Sequence, residues 1–248
     1  MRPVAVVTGA SRGLGAGLAR SFAARGYGLG LCARNVPPAP GGPGAAPLCA
    51  GVDVTDATAL AAFAAEVVAR FGRIDLWVNN AGLLEPIGPV ATSDLHAAAR
   101  LIQVNVTGVL NGSAVFARHV RSRPGAGVLI NMSSGAGVRP YVGWGPYGAS
   151  KAAVDQLTRI MAEEEAGHGL RAYAVSPGVV DTDMQALIRT TPPAAFPDVG
   201  RFVQIAADGA FNTTEWVAEH LVGLAFGHPE PGDVVVRVPD EPSSGRAH

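Results

Sequence analysis

The sequence predicts an α/β fold, a doubly wound parallel sheet of seven strands with helices on both faces, built as a single domain. Three observations carry this. Short apolar runs alternate with longer helix-like stretches along the chain, the rhythm of repeated β-α-β units. The runs are rich in Val, Leu and Ile, as strands buried on both faces require. The first run ends in a glycine turn that opens directly into a helical pattern, the start of a Rossmann-type unit.

The strands are expected at VAVVTG (4–9), LGLCA (29–33), APLCAGV (46–52), IDLWVN (74–79), GVLINMS (127–133), LRAYAVS (170–176) and DVVVRV (233–238). A helix over 56–72 is signalled by Asp56 at its start and Gly72 at its end. A long helix is expected over about 93–121 and another over 146–166. NVPPAPGGPGAAP (35–47) is too rich in Pro and Gly for a helix, so the crossover between the second and third strands is short or irregular. Residues 181–211 mix a helical pattern with Pro192, Pro193 and Pro197, which suits a flap over a site. The domain is expected to span 1–240, with 241–248 a loose tail.

Composition narrows the function. Hydrophobic residues make up 48% of the chain and charged residues 16%, which argues for a large core and against disorder. The net charge is −1 with no basic block, which argues against a nucleic-acid partner. The six histidines form no ligand motif and the two cysteines, Cys32 and Cys49, have no metal spacing, so no metal site is expected. The cysteines read as small core residues in a reducing compartment. No apolar run reaches membrane-spanning length and no leader precedes the first strand, so a soluble cytoplasmic protein is expected.

Gly9, Gly13 and Gly15 let the backbone approach a pyrophosphate and aim helix amides at it. The end of the second strand reads the ribose of a dinucleotide: an acid there suits a 2′-hydroxyl and a base a 2′-phosphate. Arg34 stands there, with Arg12 inside the glycine turn, and both favour NADPH (NADP) over NAD. Tyr147 and Lys151 are one helical turn apart and share a face. Lys151 is the only lysine among 19 strongly basic residues. A carbonyl receiving hydride needs a proton; tyrosine can supply it, and a nearby ammonium is expected to lower the tyrosine pKa. Tyr141, Trp144, Val179 and Met184 are candidates for an apolar or aromatic wall against the substrate.

TGASRGLG (8–15), NNAG (79–82), NVTG (105–108), SS (133–134), YGASK (147–151) and SPGVVDTDM (176–184) fall in one order and spacing. Together they resemble the short-chain dehydrogenase/reductase family in its compact single-domain branch. The resemblance implies a catalytic set of Asn105, Ser134, Tyr147 and Lys151, with Ser133 the rival serine and Tyr141 the rival tyrosine. It implies that Asn105 fixes a water relaying protons to Lys151. It also implies cofactor contacts from Ser11, Leu14, Asp53, Val54, Asn80, Ala81, Gly82, Tyr147, Lys151, Pro177, Gly178, Val180 and Thr182, with Asp53 at the adenine edge and Asn79 holding the strand end.

The ARN after the second strand, Trp144 three before Tyr147, and DTDMQ are similar to the sepiapterin reductase and benzil reductase group. The resemblance implies NADPH-dependent reduction of a small-molecule ketone or diketone, with Ser134, Tyr141, Trp144, Tyr147 and Met184 about the substrate. It implies a homodimer or homotetramer packed through the helices after the fourth and fifth strands. Two departures stand out. Tyr173 occupies a position the family usually gives to asparagine, and Asp240 is out of step with the C-terminal acid that would anchor a pterin. Arg34 counts against an NAD-dependent alcohol dehydrogenase. The presence of Ser134, Tyr147 and Lys151 counts against a non-enzymatic nucleotide-binding scaffold.

Overall fold

A computed structural model describes residues 2–227 and 232–242; the rest of the expected tail, from residue 243, lies outside the described residues. The seven expected strands form: β1 (Val4–Thr8), β2 (Gly28–Ala33), β3 (Leu48–Gly51), β4 (Leu76–Asn79), β5 (Gly127–Met132), β6 (Leu170–Ser176) and β7 (Val235–Arg237). They pair in parallel in the order β3-β2-β1-β4-β5-β6-β7. The chain leaves β1 toward β2 and later returns to β4 on the other side of it. That reversal opens a crevice at the carboxyl ends of the strands, where open α/β sheets bind ligands.

Two apolar layers enclose the sheet. On one face α1 (Gly13–Ala24) and α8 (Thr214–Phe226) set Leu18, Phe22, Val217 and Leu221 against Val7, Leu29, Leu31 and Ile130. On the other, α2 (Ala57–Phe71), α4 (Gly108–Arg121) and α5 (Gly145–Glu165) set Leu60, Phe63, Phe116 and Met161 against Val6, Trp77 and Leu129. Each fully buried side chain of this kind contributes about 1.5–3 kcal/mol. The ends of α2 follow the sequence signals. The Asp56 carboxylate accepts the amides of Thr58 and Ala59, and Gly72 closes the helix with φ 87°.

The long helix expected over 93–121 is not continuous. It divides into α3 (Leu95–Ile102), a π-helical turn (Gln103–Thr107) and α4, and the Gly108 amide bonds back to the Gln103 carbonyl. The side chain of Asn105 explains the break: it turns inward, and its hydrogen bonds lie off the helix. The 35–47 crossover lacks a helix, as expected, and runs past the end of α1, where Arg2 and Arg70 hold the carbonyls of Pro43 and Ala46. Tyr173 lies half-buried against the α1/α8 layer.

The segment 181–211 carries α6 (Asp183–Thr190) and α7 (Val199–Ala207), separated by its prolines. It packs on a third apolar cluster beyond the sheet, formed with Leu84, Leu101, Ala136, Trp144 and Tyr147. Glu241, the first residue of the expected tail, is fastened: its amide donates to Asn212, and its carboxylate accepts the Thr213 amide. Asp240 pairs with Arg237 at the surface.

Candidate active site

The glycine turn leaves β1 at its carboxyl end. Gly9 and Gly13 have φ of 66° and 54°, a region that residues with a Cβ seldom enter. Gly15 passes so close to the Gly9 carbonyl that any side chain would collide with it. No side chain caps the N-terminus of α1, as is also true of α5, α6 and α7, but here the uncapped amides follow the glycine turn. Amides without a side-chain acceptor beside a glycine cradle suit a pyrophosphate, so these residues fit the dinucleotide that the sequence implies.

The other predicted cofactor residues gather along the same edge. Ser11 and Leu14 lie in the turn and first helix, with Leu14 packed on the core. Arg34 is exposed just beyond β2. Asn80 ties β4 to the turn by donating to the carbonyls of Thr8 and Gly9, and the Thr8 hydroxyl accepts the amides of Asn80 and Ala81. Gly82 lies so close to two predicted catalytic residues that a Cβ there would lie 3.5 Å from Asn105 Oδ1 and 3.9 Å from Lys151 Nζ. After β6, Asn212 Nδ2 donates to the Pro177 carbonyl and fills the space beside Gly178. Val180 bridges to Asn212 and is buried, and Thr182 touches Gly13.

Two of these residues already have partners. Arg12 forms a 3.2 Å ion pair with Asp183 at the start of α6. Asp53 receives the amide and hydroxyl of Thr55 and, at 2.6 Å, the guanidinium of Arg100. Burial alone would raise the Asp53 pKa, but these bonds overcome it and hold the carboxyl at about 2. Neighbouring Val54 packs under Gly108.

At the end of β5 the two serines and the two tyrosines of the sequence rivalries meet different partners. The Ser134 hydroxyl accepts the Ala136 amide and stands where it favours the Tyr147 phenolate, whereas Ser133 donates to Asp155. The Tyr147 side chain is enclosed, with the Trp144 ring edge-on at 5.5 Å. Tyr141 turns elsewhere: its hydroxyl accepts from Arg201 on α7, and Arg139 lies over its ring. Lys151, one turn after Tyr147, is buried with Nζ 2.8 Å from the Met132 carbonyl and 5.6 Å from the centre of the Tyr147 ring.

Electrostatics correct one expectation. Tyr147 is raised above the usual phenol value, not lowered, because burial outweighs the opposing effect of the Ser134 hydroxyl. Burial also pulls Lys151 down to about 8, against the opposing pull of Asp155.

Asn105 holds the opposite side. Its Oδ1 accepts the Leu83 amide at 2.7 Å, while Nδ2 donates to the Leu83 carbonyl and to Ser150 Oγ. Asn79 holds its strand end through Val109, Ser113 and Asn131, and Asn131 passes the connection to Thr158 on α5. No local pattern points to Asn131, Thr158, Ser150 or Asn212, because these bonds join residues far apart in the chain. Of the expected substrate wall, Trp144 is central, stacked on Phe196 at 4.5 Å, while Tyr141, Val179 and Met184 pack around the same cluster. Phe196 and Phe202 of the 181–211 segment had not been expected there.

A glycine cradle at the switch point of a parallel sheet, near a buried tyrosine with a serine beside it and a lysine on the next turn, defines a dinucleotide-dependent oxidoreductase. The chain belongs to the short chain dehydrogenase family, which it matches over residues 3–193. Among its relatives is a benzil reductase, (S)-benzoin forming, of Saccharomyces cerevisiae, 34% identical over 218 residues that cover 83% of each chain. A cis-4-hydroxycyclohexanecarboxylate dehydrogenase of Sinomonas cyclohexanicum is 37% identical over 231 residues, 90% of this chain and 88% of its own. A short chain dehydrogenase of Burkholderia cenocepacia, solved in complex with NADP, superposes with a TM-score of 0.74 at 27% identity, covering 96% of this chain and 90% of that one.

Proposed function

We propose that the protein is an NADPH-dependent reductase of ketones or diketones in which Tyr147 donates the proton. The observation that carries this is the placement of Tyr147, enclosed by an aromatic cluster beside Ser134 and one helical turn from Lys151. A bound reduced nicotinamide would supply a hydride to the carbonyl carbon. Ser134 donates to the carbonyl oxygen as negative charge grows there. Tyr147 releases its phenolic proton to that oxygen, giving the alcohol. Lys151 stabilises the resulting phenolate, and Asn105 anchors the π-helical turn against the Leu83 backbone beside it.

The cofactor preference rests on Arg12 and Arg34, two guanidiniums at the ribose end that suit a 2′-phosphate. Gly9, Gly13 and Gly15 would hold the pyrophosphate, and Gly82, Pro177, Gly178, Val180 and Thr182 would border the nicotinamide. The benzil reductase relative supports a dicarbonyl substrate, with Trp144, Tyr141 and Met184 forming its apolar wall. The segment 181–211 acts as the flap over it. Oxidation of an alcohol is the second reading, favoured by the dehydrogenase relative.

No helix among the described residues is long and apolar enough to cross a membrane. A cytoplasmic setting, with Cys32 and Cys49 as free thiols, belongs to the same proposal. So does a homodimer or homotetramer through α4 and α5, where Leu110 and Ile160 are exposed; sedimentation checks it. Purified protein should oxidise NADPH with at least one carbonyl in a screen of vicinal diketones, aromatic ketones and pterins. NADH consumption equal to NADPH consumption on the same ketone would refute the cofactor reading.

A further inference from the structure

Three consecutive residues at the end of β5 meet three residues spaced one turn apart along α5. The Met132 carbonyl accepts Lys151, Ser133 Oγ donates to Asp155 Oδ1, and Ser134 stands beside the Tyr147 phenol. Tyr147, Lys151 and Asp155 stand at i, i+4 and i+8 and share one face of the helix. The mechanism above uses the first two rungs and leaves the third without a role.

The third rung is enclosed. Asp155 is 3% exposed and Ser133 5%. Gly137, on the turn that follows Ser134, passes so near that a Cβ there would lie 2.8 Å from Asp155 Oδ2. The charged groups facing Asp155 are Lys151 one turn before it and Arg159 one turn after it. Burial raises the Asp155 pKa, while Ser133, Arg159 and Lys151 favour the carboxylate. A buried carboxyl group is costly unless its hydrogen bonds are made, and here its bond reaches the residue next to Ser134.

We infer that Asp155 is a positioning residue. By accepting the Ser133 hydroxyl it fixes the 132–134 corner, which presents Ser134 to Tyr147 and the Met132 carbonyl to Lys151. The inference rests on the reductase reading, since it needs a reaction at Ser134 and Tyr147.

A double-mutant cycle of Ser133→Ala and Asp155→Ala tests it, read by ketone-dependent NADPH oxidation, NADPH binding by fluorescence, and thermal melting. Each single variant should lower kcat about tenfold or more, with the NADPH Kd changed by less than about twofold. The double variant should be no worse than the poorer single, because both remove the same bond. Asp155→Asn keeps an acceptor oxygen and should recover most of the loss. Multiplying losses in the double variant, or an unchanged kcat in Ser133→Ala, overturns the inference. A lowered melting point with unchanged kcat overturns it too, since that is a purely structural role. If Asp155→Ala fails to fold, Ser133→Ala decides alone. Wild-type protein that turns over no carbonyl sinks the reductase reading and this inference together; an active wild type with unaffected variants sinks only the inference.

Discussion

Arg12 and Asp183 meet across the mouth of the dinucleotide crevice, joining the glycine turn to the first residue of α6 at 3.2 Å. Both side chains are largely exposed, so the pair contributes little to stability. Its importance is competitive: the guanidinium proposed to read a 2′-phosphate already faces a carboxylate. Asp183→Asn should therefore tighten NADPH binding by roughly threefold and leave NADH binding unchanged, whereas Arg12→Ala should weaken NADPH binding by roughly tenfold or more. Fluorescence titration with both dinucleotides measures this, and equal effects on the two would contradict it.

Tyr147→Phe keeps the ring that packs against Trp144 and removes only the hydroxyl. The expected loss in kcat is on the order of 10²–10⁴-fold, with little change in NADPH affinity or melting temperature. Substantial residual turnover would remove Tyr147 as the proton donor.

Lys151→Arg conserves charge, but a planar guanidinium cannot take the place of a compact ammonium beneath the Met132 carbonyl. Most activity should be lost. Steady-state assay with matched cofactor saturation checks it.

Stability should carry the signature of the buried lysine. Its pKa falls from 10.5 to about 8 on folding, so between those values the unfolded chain holds the proton and the folded protein does not. The stability of the wild type should therefore rise with pH through that window, relative to Lys151→Met. A shift of this size corresponds to an upper bound of about 3 kcal/mol. Urea midpoints of both proteins at pH 8 and pH 9.5 test the sign; parallel curves would contradict it.

Phe196 is fully buried and stacked on Trp144, and it packs the 181–211 segment into the cluster that includes Tyr147. Phe196→Ala should destabilise the protein by about 3–5 kcal/mol and raise KM for the carbonyl substrate. Chemical denaturation and substrate titration read the two effects separately.

Much of this molecule is legible in local sequence because local physics determines it. The seven apolar runs become the seven strands, and Asp56 and Gly72 close α2 as their chemistry requires. The Tyr147–Lys151 spacing survives because a helix fixes it. The division of the 93–121 helix is different: apolar periodicity does not register a widened turn, and the cause, Asn105 reaching Leu83 and Ser150, lies 22 and 45 residues away. The choice between Ser133 and Ser134 likewise depends on which residue of α5 each one meets. The direction of the Tyr147 shift was missed because spacing reveals a neighbouring charge but not the burial that opposes it.

The crossover at 35–47 leaves β3 a four-residue edge strand whose side chains are only partly covered. With one neighbour and no helix spanning its approach, β3 is more readily opened by local fluctuation than the central strands. Its amides should exchange with solvent deuterium well before those of β1 or β4. A ligand lying across Arg34 and Asp53 would slow that exchange, so the adenosine end of the crevice would acquire part of its order only when filled.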